Sequence, residues 1–463
     1  MAEKLKVIDE ELIHRELGAG RNKSAPEIVD ILVKARAGKG LEPAEAAELL
    51  QTVDPDLVRQ IFHTAREVKL KIYGKRLVLF APLYLSNFCV NNCQYCGFRR
   101  DNQAIPRKRL SPADIQDQAG KLEKLGHKRL LLECGESSLS DIDYVEEAIA
   151  AVYATRNGNG EIRRVNVNIA GTTVENYRRL KAAKIGTYQL FQETYHRATY
   201  EMLHEGPKRD YERQIFALDR AQEAGIDDVG LGVLFGLYDY KFEVLALLYH
   251  ARHLEERFGV GPHTISVPRF RPASGVDFRL PHSVSDEEFK RIVAVVRLAV
   301  PYTGMIISTR ESVEMRGEAF SLGISQTSAG SSTSPGGYGE KDKGGELTPA
   351  QFQIADHRSP DEVIRSICEL GYLPSFCTAC YRRGRTGKEF MDVAKPGDIQ
   401  QLCAPNAVLT FKEYLLDYAS EETRRAGEQT LENHLGEISQ PGLRKQVEDR
   451  LKEMESGKRD LYY

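Results

Sequence analysis

The run Leu77-Val78-Leu79-Phe80-Ala81-Pro82-Leu83-Tyr84-Leu85 leads, after Ser86-Asn87-Phe88, into Cys89-Val90-Asn91-Asn92-Cys93-Gln94-Tyr95-Cys96. The first part is a leucine-rich run of strand length, and the second would therefore stand on the loop at the strand's C-terminal end. Three thiols at such tight spacing let one loop wrap three corners of an iron-sulfur cubane. A four-iron cluster is normally held by four thiolates, so three leave one iron open to a ligand other than cysteine. An open iron can do chemistry that a fully ligated electron carrier cannot easily do.

Working outward, short β-branched or leucine-rich runs alternate with amphipathic helical patterns from about residue 77 to 330. Candidate strands are Leu77 to Leu85, Arg129 to Cys134, Val165 to Ala170, Thr187 to Glu193, Asp228 to Leu234, Thr264 to Phe270, Met305 to Thr309 and Ile324 to Ser328. Eight strands over roughly 250 residues suit a (β/α)8 TIM barrel, whose chemistry sits at the C-terminal mouth of the strands. Ser111-Pro112 supplies an N-cap and a Pro at N1 for the first intervening helix. An open doubly wound sheet is the alternative.

Residues 1–75 read as a helical extension. Pro43 sits near a helix start, and Leu49, Leu50 and Val53, then Leu57, Ile61 and Val68, recur at spacings that suit buried helical faces. The barrel is expected over 76–345. Near its end, Ala329-Gly330-Ser331-Ser332-Thr333-Ser334-Pro335-Gly336-Gly337-Tyr338-Gly339 and then Lys343-Gly344-Gly345 read as a flexible linker rather than a lid. Residues 346–463 read as a helical C-terminal domain around a second cysteine set, Cys377-Thr378-Ala379-Cys380 with Cys403.

Composition fits an ordinary enzyme. With 463 residues, 41% hydrophobic and 28% charged, the chain can bury a large core. A formal charge of -3 carries no basic bias, so nucleic acid is not an expected partner. No run of 18 apolar residues suggests a membrane span, and Met1-Ala2-Glu3-Lys4-Leu5-Lys6-Val7 lacks the apolar core of a signal peptide. The expectation is a cytoplasmic protein without disulfides. Structural zinc needs four closed ligands and does not suit Cys89, Cys93 and Cys96. At Cys377, Cys380 and Cys403, with a His from elsewhere, it remains a legal alternative. Cys134 and Cys368 read as small buried thiols.

The Cys-x3-Cys-x2-Cys spacing, with Tyr95 before the last cysteine, resembles the signature of the radical S-adenosylmethionine (SAM) enzymes. The resemblance implies a 4Fe-4S cluster whose open iron chelates SAM and whose electron cleaves it to a 5'-deoxyadenosyl radical. Gly135-Glu136, in Glu133-Cys134-Gly135-Glu136, is similar to the family's Gly-Glu motif beside the SAM ammonium. Glu193 matches the acidic position on the ribose, Arg213 the arginine on the SAM carboxylate, and Leu234 lies in a stretch resembling the adenine-contacting strand. Independently, Ser308-Thr309-Arg310-Glu311 ends a strand with an always-charged fork able to pair with a substrate carboxylate, which points to an amino acid.

The barrel as a whole resembles the tyrosine lyases of that superfamily, which cleave L-tyrosine to a p-cresol precursor and dehydroglycine, and places Ser308 and Arg310 at the substrate. With Cys377, Cys380 and Cys403 added, it resembles the FeFe-hydrogenase maturases of the HydG type. That likeness implies carbon monoxide and cyanide as further products, joined to iron on an auxiliary Fe-S cluster. It also implies an additional labile iron held by His263, a reductant such as ferredoxin or flavodoxin, and other FeFe-hydrogenase maturation proteins as partners. His263 precedes a strand, so it should lie at the barrel floor opposite Cys89 and Arg310, and small ligands would need a polar passage through the interior. The alternatives are a thiazole-synthesis-type lyase (2-iminoacetate synthase) whose second cluster only relays electrons, and a non-enzymatic iron scaffold. His196 and His204 are left without a role.

Overall fold

Alternation along the first strand sets the architecture. In the computed structural model, which describes residues 6–158, 160–339 and 349–463, β1 spans Arg76–Ser86. Its Leu77, Leu79, Ala81, Leu83 and Leu85 enter the large core shared with the surrounding helices, while Phe80 and Tyr84 belong to separate small clusters. One set of alternate side chains therefore packs outward on helices and the other faces the barrel axis.

Seven further parallel strands follow: β2 (Arg129–Cys134), β3 (Arg164–Asn168), β4 (Tyr188–Gln189), β5 (Val229–Gly232), β6 (Thr264–Ser266), β7 (Gly304–Ile307) and β8 (Gln326–Ser328). Each pairs with its predecessor, and β8 returns to β1 through Val78↔Gln326, Leu79↔Thr327 and Phe80↔Ser328. The ring is closed, so this is the (β/α)8 barrel and not the open sheet. Ser111 caps the helix Pro112–Lys124 in a full capping box, as its sequence indicates.

Helices α1 (Glu10–Ala19), α2 (Ala25–Arg36), α3 (Pro43–Gln51) and α4 (Pro55–Tyr73) precede the barrel. They pack on its helices Tyr240–Phe258 and Asp286–Ala299. Val53 departs from expectation: it is 85% exposed. It falls between α3 and α4, where Asp54 and Pro55 start a new helix, so the helical spacing that assigns it a buried face does not run through it.

The Ser/Gly-rich stretch is not a free linker where it is described. Ala329 N–H donates to Phe80 O (3.2 Å), Tyr338 N–H donates to Gln118 Oε1 (2.8 Å), and the Tyr338 hydroxyl donates to Pro82 O inside the barrel wall. Lys343-Gly344-Gly345 lie outside the described residues. Beyond them the regular elements among the described residues are helices except for β9 (Leu373–Ser375), which extends the sheet by pairing with the start of β1. Its Pro374 is tolerated because β9 is an edge strand. β9 leads directly into Cys377, while helix Ile399–Asp417 carries Cys403.

Candidate active site and second metal centre

The cysteine loop is fastened to the turn after β2 and to the C-terminal end of helix Arg197–Leu203 rather than hanging from β1. Val90 N–H donates to Glu136 O (2.8 Å), Asn92 N–H to Glu205 O (2.9 Å) and Gln94 N–H to Leu203 O (3.0 Å). Gly135 makes this approach possible: a Cβ there would lie 2.4 Å from Phe88 O and 3.0 Å from Cys89 Cβ. Cys89, Cys93 and Cys96 then line one cavity of about 1020 Å³ at the C-terminal mouth, together with Tyr95, Gly135, Glu136, Glu193 and Leu234.

The three thiols are free. Burial pushes Cys96 up to about 11 and Cys93 higher still, so bare thiolates are disfavoured there unless a cationic body shares the cavity. Among the described residues no group of three or more His, Cys, Asp or Glu closes around a single ion. Three thiols that line one open cavity without closing on a point fit a cluster rather than a lone metal.

Of the positions the sequence assigned to SAM, Tyr95, Gly135, Glu136, Glu193 and Leu234 line this cavity, whereas Arg213 does not and reaches its edge only through Glu136. Glu193 adopts a left-handed backbone (φ 70), a conformation costing about 1 kcal/mol or more for a residue with a Cβ. Its carbonyl accepts from Leu234 N–H (3.0 Å), and its carboxylate pairs with Lys208 Nζ (2.6 Å). Burial opposes the Lys208 charge, but the Glu193 carboxylate and the Cys93 sulfur more than offset it and raise its pKa. Arg213, on helix Tyr211–Ile215, donates to Glu136 Oε1 (2.5 Å) and Gly171 O (2.6 Å). In this structure its partner is thus the Glu of the Gly-Glu motif. The Tyr95 hydroxyl bonds His204 Nε2 (2.8 Å). Sequence reasoning missed Lys208, and it left His204 without a role.

Below the mouth lies a second cavity of about 590 Å³ within the barrel. Ser308 lines only this lower space, whereas Arg310 lines both. The Arg310 guanidinium stacks 3.2 Å from the Phe352 ring centroid and makes no hydrogen bond to protein among the described residues. Burial lowers its pKa, against the pull of Tyr84, Glu193 and Glu133. The interior is part polar, with Gln189, Ser266 and Ser328 lining it, but Phe80, Leu131 and Ile306 form an apolar cluster across it.

At the opposite end, Cys377, Cys380, Cys403 and His263 line a third cavity of about 510 Å³ at the barrel floor. No residue lines both this cavity and the one above. The neighbouring Cys380 and Cys403 thiols act on one another, which lowers the Cys403 pKa to about 7 and raises that of Cys380. Arg129 Nη2 donates to Cys377 O (2.9 Å). Burial, reinforced by Arg164, Arg129 and Arg76, pushes His263 well below its ordinary value, leaving the neutral imidazole a metal requires. His263 Nε2 lies 3.1 Å from the Tyr381 hydroxyl and Nδ1 3.4 Å from Asp228 Oδ1. These donors suit iron.

The radical SAM superfamily profile matches residues 83–248, and that of the Biotin and Thiamin Synthesis associated domain matches 266–373. The 2-iminoacetate synthase of Salmonella typhimurium is 33% identical over 331 residues, covering 70% of this chain and 84% of that protein. A crystal structure of HydG, a maturase of the [FeFe]-hydrogenase, superposes with a TM-score of 0.96 at 53% identity, covering 99% of this chain and 100% of that one. The chain belongs to the HydG family of radical SAM enzymes. The HydG of Carboxydothermus hydrogenoformans is similar at 41% identity and a TM-score of 0.83, covering 95% of this chain and 97% of that one. HydG-type membership makes the chain a radical SAM lyase. No helix among the described residues is long and apolar enough to cross a membrane.

Proposed function

We propose that this enzyme cleaves L-tyrosine to p-cresol and dehydroglycine at the barrel mouth, and that carbon monoxide and cyanide derived from dehydroglycine leave as an iron-carbonyl-cyanide unit for FeFe-hydrogenase assembly. The observation that carries the reading is the placement of two cysteine trios at opposite ends of one closed barrel, the second beside His263. When bound, the mouth cluster and SAM supply one-electron cleavage to a 5'-deoxyadenosyl radical.

In this reading Cys89, Cys93 and Cys96 hold the 4Fe-4S cluster. The strand end at Gly135-Glu136 and the Arg213 fork receive the polar end of SAM, Glu193 the ribose, and Tyr95 and Leu234 flank the adenine. Arg310 anchors the tyrosine carboxylate, since its fork is unclaimed by protein among the described residues and its stack on Phe352 fixes its plane. Ser308, one layer deeper, faces the substrate from inside the barrel. Cys377, Cys380 and Cys403 hold the auxiliary cluster, and His263 the additional labile iron. The division into 1–75, 76–345 and 346–463, cytoplasmic localisation, a ferredoxin or flavodoxin reductant and other maturation proteins as partners belong to the same proposal.

Anaerobic incubation of iron-reconstituted protein with SAM, dithionite and L-tyrosine tests it. p-Cresol, cyanide and carbon monoxide together are the expected result. p-Cresol alone would select a lyase whose second cluster relays electrons, and none of the three would remove the lyase reading.

A further inference from the structure

Three adjacent strands bring unlike polar groups into one layer at the mouth. The register pairs Tyr84 of β1 with Glu133 of β2, and Glu133 with Asn168 of β3. All three line both the thiol cavity and the space beneath it, as does Arg310 from beyond β7. Glu133 and Arg310 influence one another electrostatically, yet neither has an ion-pair partner within 4 Å among the described residues. The mouth therefore presents a guanidinium and a carboxylate to the same space.

An amino acid matches that pair. If Arg310 takes the substrate carboxylate, the α-ammonium, attached to the same carbon, comes to the neighbouring carboxylate, while the phenol hydroxyl lies at the far end of the side chain. Removing a hydrogen atom from nitrogen requires the neutral amine. From an ammonium the same step would leave a nitrogen-centred radical cation with no lone pair to stabilise it, across a much stronger bond.

Resting on the tyrosine-lyase reading, we propose that Glu133 is the base that takes the proton from the substrate's α-ammonium before hydrogen-atom abstraction. The N–H bond breaks heterolytically, its electron pair stays on nitrogen, and the proton forms an O–H bond on the Glu133 carboxylate. Charge balances, because ammonium plus carboxylate becomes amine plus acid. A buried site favours that neutral pair over two separate charges.

The surroundings agree. Burial pushes the Glu133 carboxyl up to about 7, opposed by the nearby Tyr84 hydroxyl and by the Arg310 charge and reinforced by Glu193. A base near neutrality holds a proton well enough to take one and is still ionised often enough to start. The titratable or charged groups that face it are Tyr84 from β1, Arg310 from beyond β7, Glu193 from beyond β4, Cys134 beside it on β2 and Tyr338 from the segment after β8; Asn168 of β3 carries no charge.

The test compares the reconstituted parent with Glu133→Gln and Glu133→Asp across pH, after iron content and thermal unfolding show both variants folded and loaded. Tyrosine affinity by calorimetry should change little in Glu133→Gln, because Arg310 is intact. p-Cresol formation by Glu133→Gln should fall about 100-fold or more at pH 7, and should recover toward the parent as pH passes the point where free tyrosine loses its ammonium proton. Glu133→Asp should fall between. A loss equal at every pH would overturn the proposal in favour of a packing role, and unchanged turnover at pH 7 would overturn it outright. Collapse of tyrosine affinity would overturn it by making Glu133 an ammonium anchor only. A parent that makes no p-cresol at any pH would instead remove the underlying lyase reading, so the two failures are distinguishable.

Discussion

Arg310→Lys keeps a positive charge at the mouth but removes the fork, and the structure sets the size of the effect. The guanidinium lies 3.2 Å from the Phe352 ring centroid and has no protein hydrogen bond among the described residues, so both arms are available to a carboxylate. Loss of one charge-assisted hydrogen bond costs about 1.5–3 kcal/mol, and weakened stacking adds about 0.5–1 kcal/mol. A total of about 2–4 kcal/mol corresponds to a loss of roughly 30- to 1000-fold in kcat/KM for tyrosine. Burial already lowers the Arg310 pKa, and a lysine there is more easily discharged. The sign follows: the variant's tyrosine affinity should decline as pH rises through the lysine's lowered pKa, while the parent guanidinium stays charged. Steady-state p-cresol formation against tyrosine concentration and pH provides the assay. 5'-Deoxyadenosine formed from SAM without tyrosine should be largely spared. A kcat/KM within threefold of the parent would refute the clamp and move the substrate's anchor elsewhere.

Gly135→Ala would drive a Cβ to 2.4 Å from Phe88 O, a backbone clash worth about 1–3 kcal/mol. It should lower iron loading at the mouth while leaving loading at the floor, as read by iron analysis and electron paramagnetic resonance; full mouth loading would show that the loop can retreat. Cys377→Ser with Cys380→Ser should spare p-cresol and abolish cyanide and carbon monoxide, whereas equal loss of p-cresol would favour electron relay. His263→Ala should keep the floor cluster's resonance and lose its extra iron, so normal infrared bands of iron carbonyls would rule that role out. Burial pulls His204 down to about 3, so below pH 6.5 the unfolded chain binds a proton that the folded one refuses. Apoprotein stability should therefore rise with pH between about 3 and 6.5, His204 contributing roughly 5 kcal/mol at about 1.4 kcal/mol per unit. Thermal unfolding of His204→Gln should show a shallower pH slope than the parent, and an identical slope would exclude the contribution.

The barrel was legible because its signal is local. Each strand candidate is a run whose neighbours in sequence define it, and each of the eight overlaps an observed strand. β9 was not legible: Leu373-Pro374-Ser375 is three residues long with a proline in the middle, and only the exposed edge of β1 makes it a strand. The packing of Tyr338 against Gln118 and Pro82 was hidden for a related reason, since Ser and Gly signal freedom unless a distant surface offers partners. At the site, cysteine spacing and the strand-end position of Arg310 pointed to the right end of the barrel. Lys208 was invisible because it sits on the short 3-10 turn Pro207–Arg209, where nothing in the sequence distinguishes a solvated lysine from one held against Glu193.

The sequence by itself determined the elements and the chemical repertoire: alternating strands and helices, two thiol trios, a fork at a strand end. These follow from period, spacing and residue type, which need no knowledge of distant contacts. Only the tertiary structure decided what shares a space. The pairing of β1 with β2 and of β2 with β3 places Tyr84, Glu133 and Asn168 in one layer, and the pairing of β8 with β1 closes the ring. The pairing of β9 with β1 carries Cys377 to the floor beside His263. Register is a relation between strands far apart in the chain, fixed by packing a whole set of side chains on one face at once, and no local reading of the residues contains it.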